Sequence, residues 1–381
     1  MTDYVNQSPI NAYFGAARQG NAKWWTWLVV AWAGIIVWVY GQAIFGTAIW
    51  KTLALSMPEM NMGMAQAKPP LGQAIASAII FIAPIIAAVL WLIRNKFSGA
   101  ARKVLLAVAL LQIALSIGGL VYFLKTNGGG GSEDATAFFS ELIATKPLIY
   151  MFMLFMFPPL FIGLWLGVKH VQERPILSLH TAAKRFRWKR MLFAMLVLWA
   201  LWAVLAFIGH ISGLSKAQFV FDPSRYWKFF VITLLFIPLQ SATEEIALRG
   251  YLNQGIGQYI KNPWVVFVIT SAGFAALHLG NPEVTEAVKE HNIFIALSGY
   301  FAFGMFACVL TYIDGGLETA IGMHAANNIF AAAIVGYDNS ALPVPTLFHV
   351  NLNTQLDTIS TVLGLSILCF IMYKTRKPLS G

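Results

Sequence analysis

Residues 228–250 read KFFVITLLFIPLQSATEEIALRG, an apolar run that ends on two adjacent acids and a base. A hydrocarbon core about 30 Å thick takes about 20 helical residues to cross. Ionisable groups inside such a crossing are costly, so they mark a working site more often than packing. One stretch thus carries both the fold class and the first functional clue. Similar runs recur at about 24–50, 71–93, 104–124, 147–168, 191–213, 264–279, 293–313, 316–335 and 358–373. With 228–250 they predict an all-α polytopic integral membrane protein of about ten transmembrane helices.

Composition agrees. Of 381 residues, 58% are hydrophobic and 11% charged, against about 25% charged in an ordinary globular chain. The mean hydropathy is +0.67. Disorder, collagen and coiled coil are excluded, and no Walker motif, dinucleotide-binding glycine motif or solenoid repeat is present. Cys308 and Cys369 lie inside apolar runs, so no disulfide framework is expected. The polar stretch before Trp24 leads into an apolar run without a small-residue cleavage site, which reads as an uncleaved anchor.

The formal charge of +10 is explained by topology, with no nucleic-acid partner implied. Eighteen of the 26 Lys and Arg fall in the N-terminal tail, the 94–103 loop, the 169–190 loop, Arg249 with Lys261, and the C-terminal tail. These segments share one side if the runs alternate, and cytoplasmic loops accumulate such residues. The expected location is a bacterial plasma membrane with both termini cytoplasmic. The dense basic segment Lys184–Arg190 reads as a topology anchor at anionic lipid, and His170 and His180 read as solvated. This segment divides the chain into residues 1–190, four spans of unassigned role, and residues 191–381, which hold every polar constellation below.

On the opposite side, Gly128–Gly131 reads as a hinge before a short amphipathic helix with Phe138, Phe139, Leu142 and Ile143 on its membrane face. Met57, Met60, Met62 and Met64 form an apolar loop rather than a copper site.

Three groups carry chemistry: Glu244-Glu245-Ile-Ala-Leu-Arg249, Phe274-Ala-Ala-Leu-His278 and His324-Ala-Ala-Asn-Asn328. On a helix Glu245 and Arg249 are one turn apart and pair, which leaves Glu244 reactive. If the chain turns at Lys261-Asn262-Pro263, Glu244 stands 17 residues before Lys261 and His278 17 after it. Antiparallel helices then bring them level, each about 25 Å from the turn. His324 and Asn328 share a face, with Asn327 an alternative partner. A carboxylate, two imidazoles and a carboxamide suit hydrolysis by activated water with an oxyanion donor. Ser241 and Thr243 are expected to bond back to helix carbonyls rather than act as nucleophiles. His210, His291 and His349 have no companions and read as packing residues.

The sequences EEIALR, FAALH and HAANN, in this order, resemble the motifs of the CPBP (CAAX prenyl protease and bacteriocin-processing, or Abi) family of intramembrane endopeptidases, over about residues 228–335. The resemblance implies that Glu244 and His278 activate the attacking water, that His324 and Asn328 form the oxyanion site, and that Glu245 and Arg249 hold the site in shape. It implies a membrane-associated peptide or protein substrate, processed at a C-terminal tail or as a peptide, and no cofactor or metal. The competing readings are a transporter using buried charges as a relay, a non-catalytic immunity or assembly protein on the same fold, and a zinc hydrolase, against which no close ligand pair such as H-E-x-x-H is present.

Overall fold

The computed structural model describes residues 8–56, 98–127, 133–284, 293–338, 340–351, 353–376 and 379, with positions 79, 82, 83, 86, 87 and 90. The methionine loop, the glycine run 128–131, His291 and most of the 71–93 stretch lie outside them.

Helices dominate, and their starts follow from local sequence. Asp222 caps α9 (Pro223–Glu245) by accepting from Ser224 N, and Asn262 caps α11 (Pro263–Leu277) by accepting from Trp264 N. In both, proline takes the first helical position, where its missing N–H leaves no bond unmade. The preceding elements are α1 (Pro9–Ala16), α2 (Trp24–Ser56), α3 (Gly99–Asn127), α4 (Glu133–Thr145), α5 (Pro147–Phe155), α6 (Pro158–His170), α7 (Leu177–His180) and α8 (Trp188–Ile211). Between α9 and α11 the chain passes through a π-helical segment, Ile246–Leu252, and one turn, α10 (Asn253–Ile256). Then come α12 (Ile293–Asp314), α13 (Glu318–Ile329), a second π segment, Phe330–Ile334, and α14 (Thr354–Lys374).

Among the described residues seven helical stretches are long and apolar enough to cross a membrane, and of the ten expected runs that at 71–93 lies mostly outside those residues. Two of the expected spans are shorter for physical reasons. Helix α11 has 15 residues, about 22 Å of rise. Helix α13 is buried on all sides, from Glu318 through Ala326. It is a core helix, packed against α8, α9 and α12. A Cβ on Gly322 would stand 2.3 Å from Met191 O, so glycine is what lets α13 approach α8.

A small sheet caps the end of the bundle opposite the α11 turn. β1 (Gln218–Phe219) pairs antiparallel and β2 (Val335–Tyr337) parallel with β3 (Phe348–Val350). Strands of two and three residues carry no alternation that a sequence reading can detect.

Several peripheral expectations change. The stretch before Trp24 is not merely polar: Ile10, Ala12 and Tyr13 of α1 are buried, and Tyr13 Oη donates to Leu179 O at 2.6 Å. The apolar face of α4 is partly taken up by protein, because Leu142 packs with Leu53 and Ile149, while Phe139 stays exposed. The basic segment is only partly a lipid anchor. Lys184, Arg185 and Lys189 are exposed, but Arg187 grips Glu318 at 2.8 and 3.0 Å and Arg190 grips Asp314 at 3.0 Å twice. Two carboxylates that would otherwise be buried alone draw these guanidinium groups inward.

His180 is likewise buried instead of solvated, and accepts from Trp165 Nε1 at 2.8 Å. Burial pushes its imidazole down to about 4. The unfolded chain therefore binds a proton below the ordinary value of about 6.5 that the folded chain refuses, and stability falls with pH through that window, by up to about 3 kcal/mol near pH 4. The thermal unfolding midpoint in detergent should drop between pH 7 and pH 5, and His180→Gln, which keeps an acceptor but does not titrate, should show a smaller drop.

Candidate active site

The site is assembled from α9, the first π segment, α11, α12 and α13. The chain from Glu244 does run on to a turn at Asn262 and return along α11, as the spacing predicts. Glu245 and Arg249 are both fully buried, with Arg249 Nη1 3.1 Å from Glu245 Oε1. A lone carboxylate in such a place would be strongly disfavoured, and the guanidinium compensates it.

His324 supplies a second contact to the same carboxylate: its Nδ1–H donates to Glu245 Oε1 at 2.8 Å. The other ring nitrogen, Nε2, lies 3.8 Å from Glu244 Oε2. His324 thus stands between the two acids, an arrangement that spacing alone did not suggest. Glu244 is the less buried acid, its side chain 18% exposed against 0% for Glu245. That difference separates a carboxylate open to a reactant from one locked in the frame.

His278 caps the end of α11. Its Nδ1 is 2.7 Å from Phe274 O, so the natural tautomer donates there and leaves Nε2 with a free lone pair. The ring lies against Phe274 on one side and stacks on Tyr300 of α12 on the other, both at 4.3 Å between centroids. Glu244 and His324 both act on it electrostatically. Tyr300 is itself held: its hydroxyl donates to Glu283 and accepts from Asn281 Nδ2 at 2.9 Å. Phe274 is the ring around which the site is packed, touching His278, the Arg249 guanidinium at 4.5 Å, and Phe303.

Asn328 does not pair with His324. Its Nδ2 donates to Gln240 Oε1 at 3.1 Å, and Gln240 Nε2 donates to Glu244 Oε1. Asn327 Nδ2 donates to Asn328 Oδ1 at 3.2 Å. Gln240 is the contributor that the sequence reading missed. Its position one helical turn before Glu244, on the same face, was the available signal. Thr243 bonds back to Leu239 O at 2.7 Å as expected, whereas Ser241 Oγ reaches Gln240 Oε1 at 3.2 Å instead of a backbone carbonyl. His349 pairs with Asp338 at 3.2 Å and His210 is exposed, both away from the site. Among the described residues no group of three His, Cys, Asp or Glu is arranged to hold a metal ion.

Loss of Arg249 would leave Glu245 buried beside a single imidazole. Arg249→Leu should therefore lower stability by about 3–5 kcal/mol, read as a reduced unfolding midpoint in detergent, and adding Glu245→Gln should restore part of the loss.

A Bacillus subtilis (strain 168) protein described as "Uncharacterized protein YyaK" is 29% identical over 219 residues, covering 55% of this chain and 70% of its own. No solved structure matches. The family described as "Type II CAAX prenyl endopeptidase Rce1-like" matches residues 223–330. That matched segment holds both acids, both imidazoles, the guanidinium and the carboxamides described above.

Proposed function

We propose that this protein is an intramembrane peptidase that hydrolyses a peptide bond with water activated by Glu244. The Rce1-like match supports an endopeptidase in general; the roles below are our reading of the geometry. Glu244, the less buried acid, takes a proton from water with His278 as its partner, and the hydroxide adds to the scissile carbonyl. His324 and Asn328 donate hydrogen bonds to the oxyanion. The C–N bond then breaks, and the proton passes to the leaving amine. A water between Glu244 and the Nε2 of His278 suits the absence of a direct bond between them among the described residues.

Glu245 and Arg249 keep His324 in place. With Nδ1–H committed to Glu245, His324 donates to the oxyanion from Nε2–H as an imidazolium, and the 3.8 Å gap to Glu244 Oε2 leaves space for that oxygen. The observation that carries the reading is that Glu244 and Asn328, from helices far apart in sequence, are joined through Gln240 in one hydrogen-bonded row, with His324 Nε2 3.8 Å from Glu244 Oε2 and His278 close by. On the distribution of Lys and Arg, both termini would lie on the cytoplasmic face of a bacterial plasma membrane. The substrate would be a membrane-associated peptide or protein, cleaved near a C-terminal tail or processed as a peptide.

The test compares new peptide termini in membranes holding the active protein and Glu244→Gln. Termini should appear only with the former, with both proteins inserted equally; the same termini at undiminished rate with Glu244→Gln would end this mechanism. Asn328→Ala should lower kcat by about 10², whereas a change confined to KM would make Asn328 a substrate-binding group.

A further inference from the structure

Three carboxamides and one carboxylate stand in a row across the site: Asn327, Asn328, Gln240 and Glu244. A carboxamide can be turned end for end with little change in shape, so its partners decide which end faces where. An ionised Glu244 has acceptors only, and Gln240 must therefore offer it the NH2 group. Gln240 Oε1 then faces Asn328, which must present its own NH2, at 3.1 Å. Asn328 Oδ1 is left facing away, where the NH2 of Asn327 meets it at 3.2 Å. Ser241 Oγ donates to the same Gln240 Oε1 at 3.2 Å and reinforces the order. One charge sets the direction of the whole row.

The direction matters for chemistry. Asn328 Nδ2 has two N–H bonds; Gln240 uses one and the second is left for a ligand. Turned over, Asn328 would offer an oxygen to a developing oxyanion and repel it. We infer that Gln240 and Asn327 are positioning residues that hold Asn328 with its N–H group toward the reacting carbonyl, Gln240 doing so in response to the charge of Glu244. The base that takes the proton thereby orients the donor that receives the negative charge. Asn327 is the backstop of the row and not its donor. This inference rests on the peptidase reading above and adds the means by which its two halves are coupled.

The test uses the purified full-length protein in detergent, a fluorogenic peptide ending in a prenylated CAAX-type sequence, and a phosphinate analogue of that peptide as a tetrahedral mimic. Gln240→Met, similar in length without hydrogen bonds, should lower kcat by about tenfold or more with KM within about threefold, and should weaken the phosphinate by a similar factor. Asn327→Leu should act in the same direction. With Asn328 already Ala, each substitution should cost at least about threefold less than in the wild type, because residues acting as a unit are not additive. Losses that multiply in full, or phosphinate affinity unchanged in both variants, would overturn the relay. If Gln240→Met fails to fold, Asn327→Leu carries the same cycle. Full kcat in Asn328→Ala would instead remove the oxyanion assignment, and a wild-type protein that neither cleaves the peptide nor binds the phosphinate would remove the reading on which the relay stands.

Discussion

The buried Glu245 carboxylate, held by Arg249 and His324, is the constraint around which this half of the protein is built. An unpaired carboxylate with no solvent exposure carries a desolvation cost of several kcal/mol, so both partners must be present and correctly placed before the helices can pack. Arg249 comes from one turn along the same chain segment, but His324 comes from α13, and their meeting ties the first π segment to the most deeply buried helix. One side of His324 is thereby committed to the frame, and the other is left for Glu244. Glu244 and Glu245 are adjacent in sequence, yet one is partly open and the other fully buried.

Local geometry bends to serve this arrangement. The helix that delivers the two acids turns into a π segment at Ile246, immediately after Glu245, and α13 does the same at Phe330, two residues beyond Asn328. A π turn carries an extra residue per turn and is unfavourable in isolation; here both such turns adjoin the polar groups of the candidate site and redirect side chains that a regular helix would aim elsewhere. Both interruptions flank the hydrogen-bonded cluster. Phe274 fills the space between them, so that its ring faces an imidazole, a guanidinium and a neighbouring phenyl at once.

Charge outside the site is organised by the same rule. Arg187 and Arg190 reach in from the basic segment to Glu318 and Asp314 at the ends of α13 and α12. These contacts fix the start of the helix that bears His324 and Asn328. The loop before α8 therefore contributes to the position of site residues more than 130 positions away, although none of its own side chains is in the site.

Much could be read from residue order alone. The membrane class followed from the length and frequency of apolar runs, since nothing but burial in lipid or protein can hold so many of them. The six charged and polar positions proposed for the site were picked out by the cost of placing them in such runs, and the Glu245–Arg249 pair by helical periodicity. The turn at Asn262 followed from its cap and proline. What chain order left open was partnership. Periodicity says which side chains share a face but not what that face meets, so it could not show His324 between two acids, Asn328 bonded to Gln240, or Arg187 drawn to Glu318. Nor could apolar length distinguish α13, surrounded by protein, from a helix surrounded by lipid, because both environments reward the same residues. Those choices depend on contacts between segments distant in sequence, and it took the packed helices to make them.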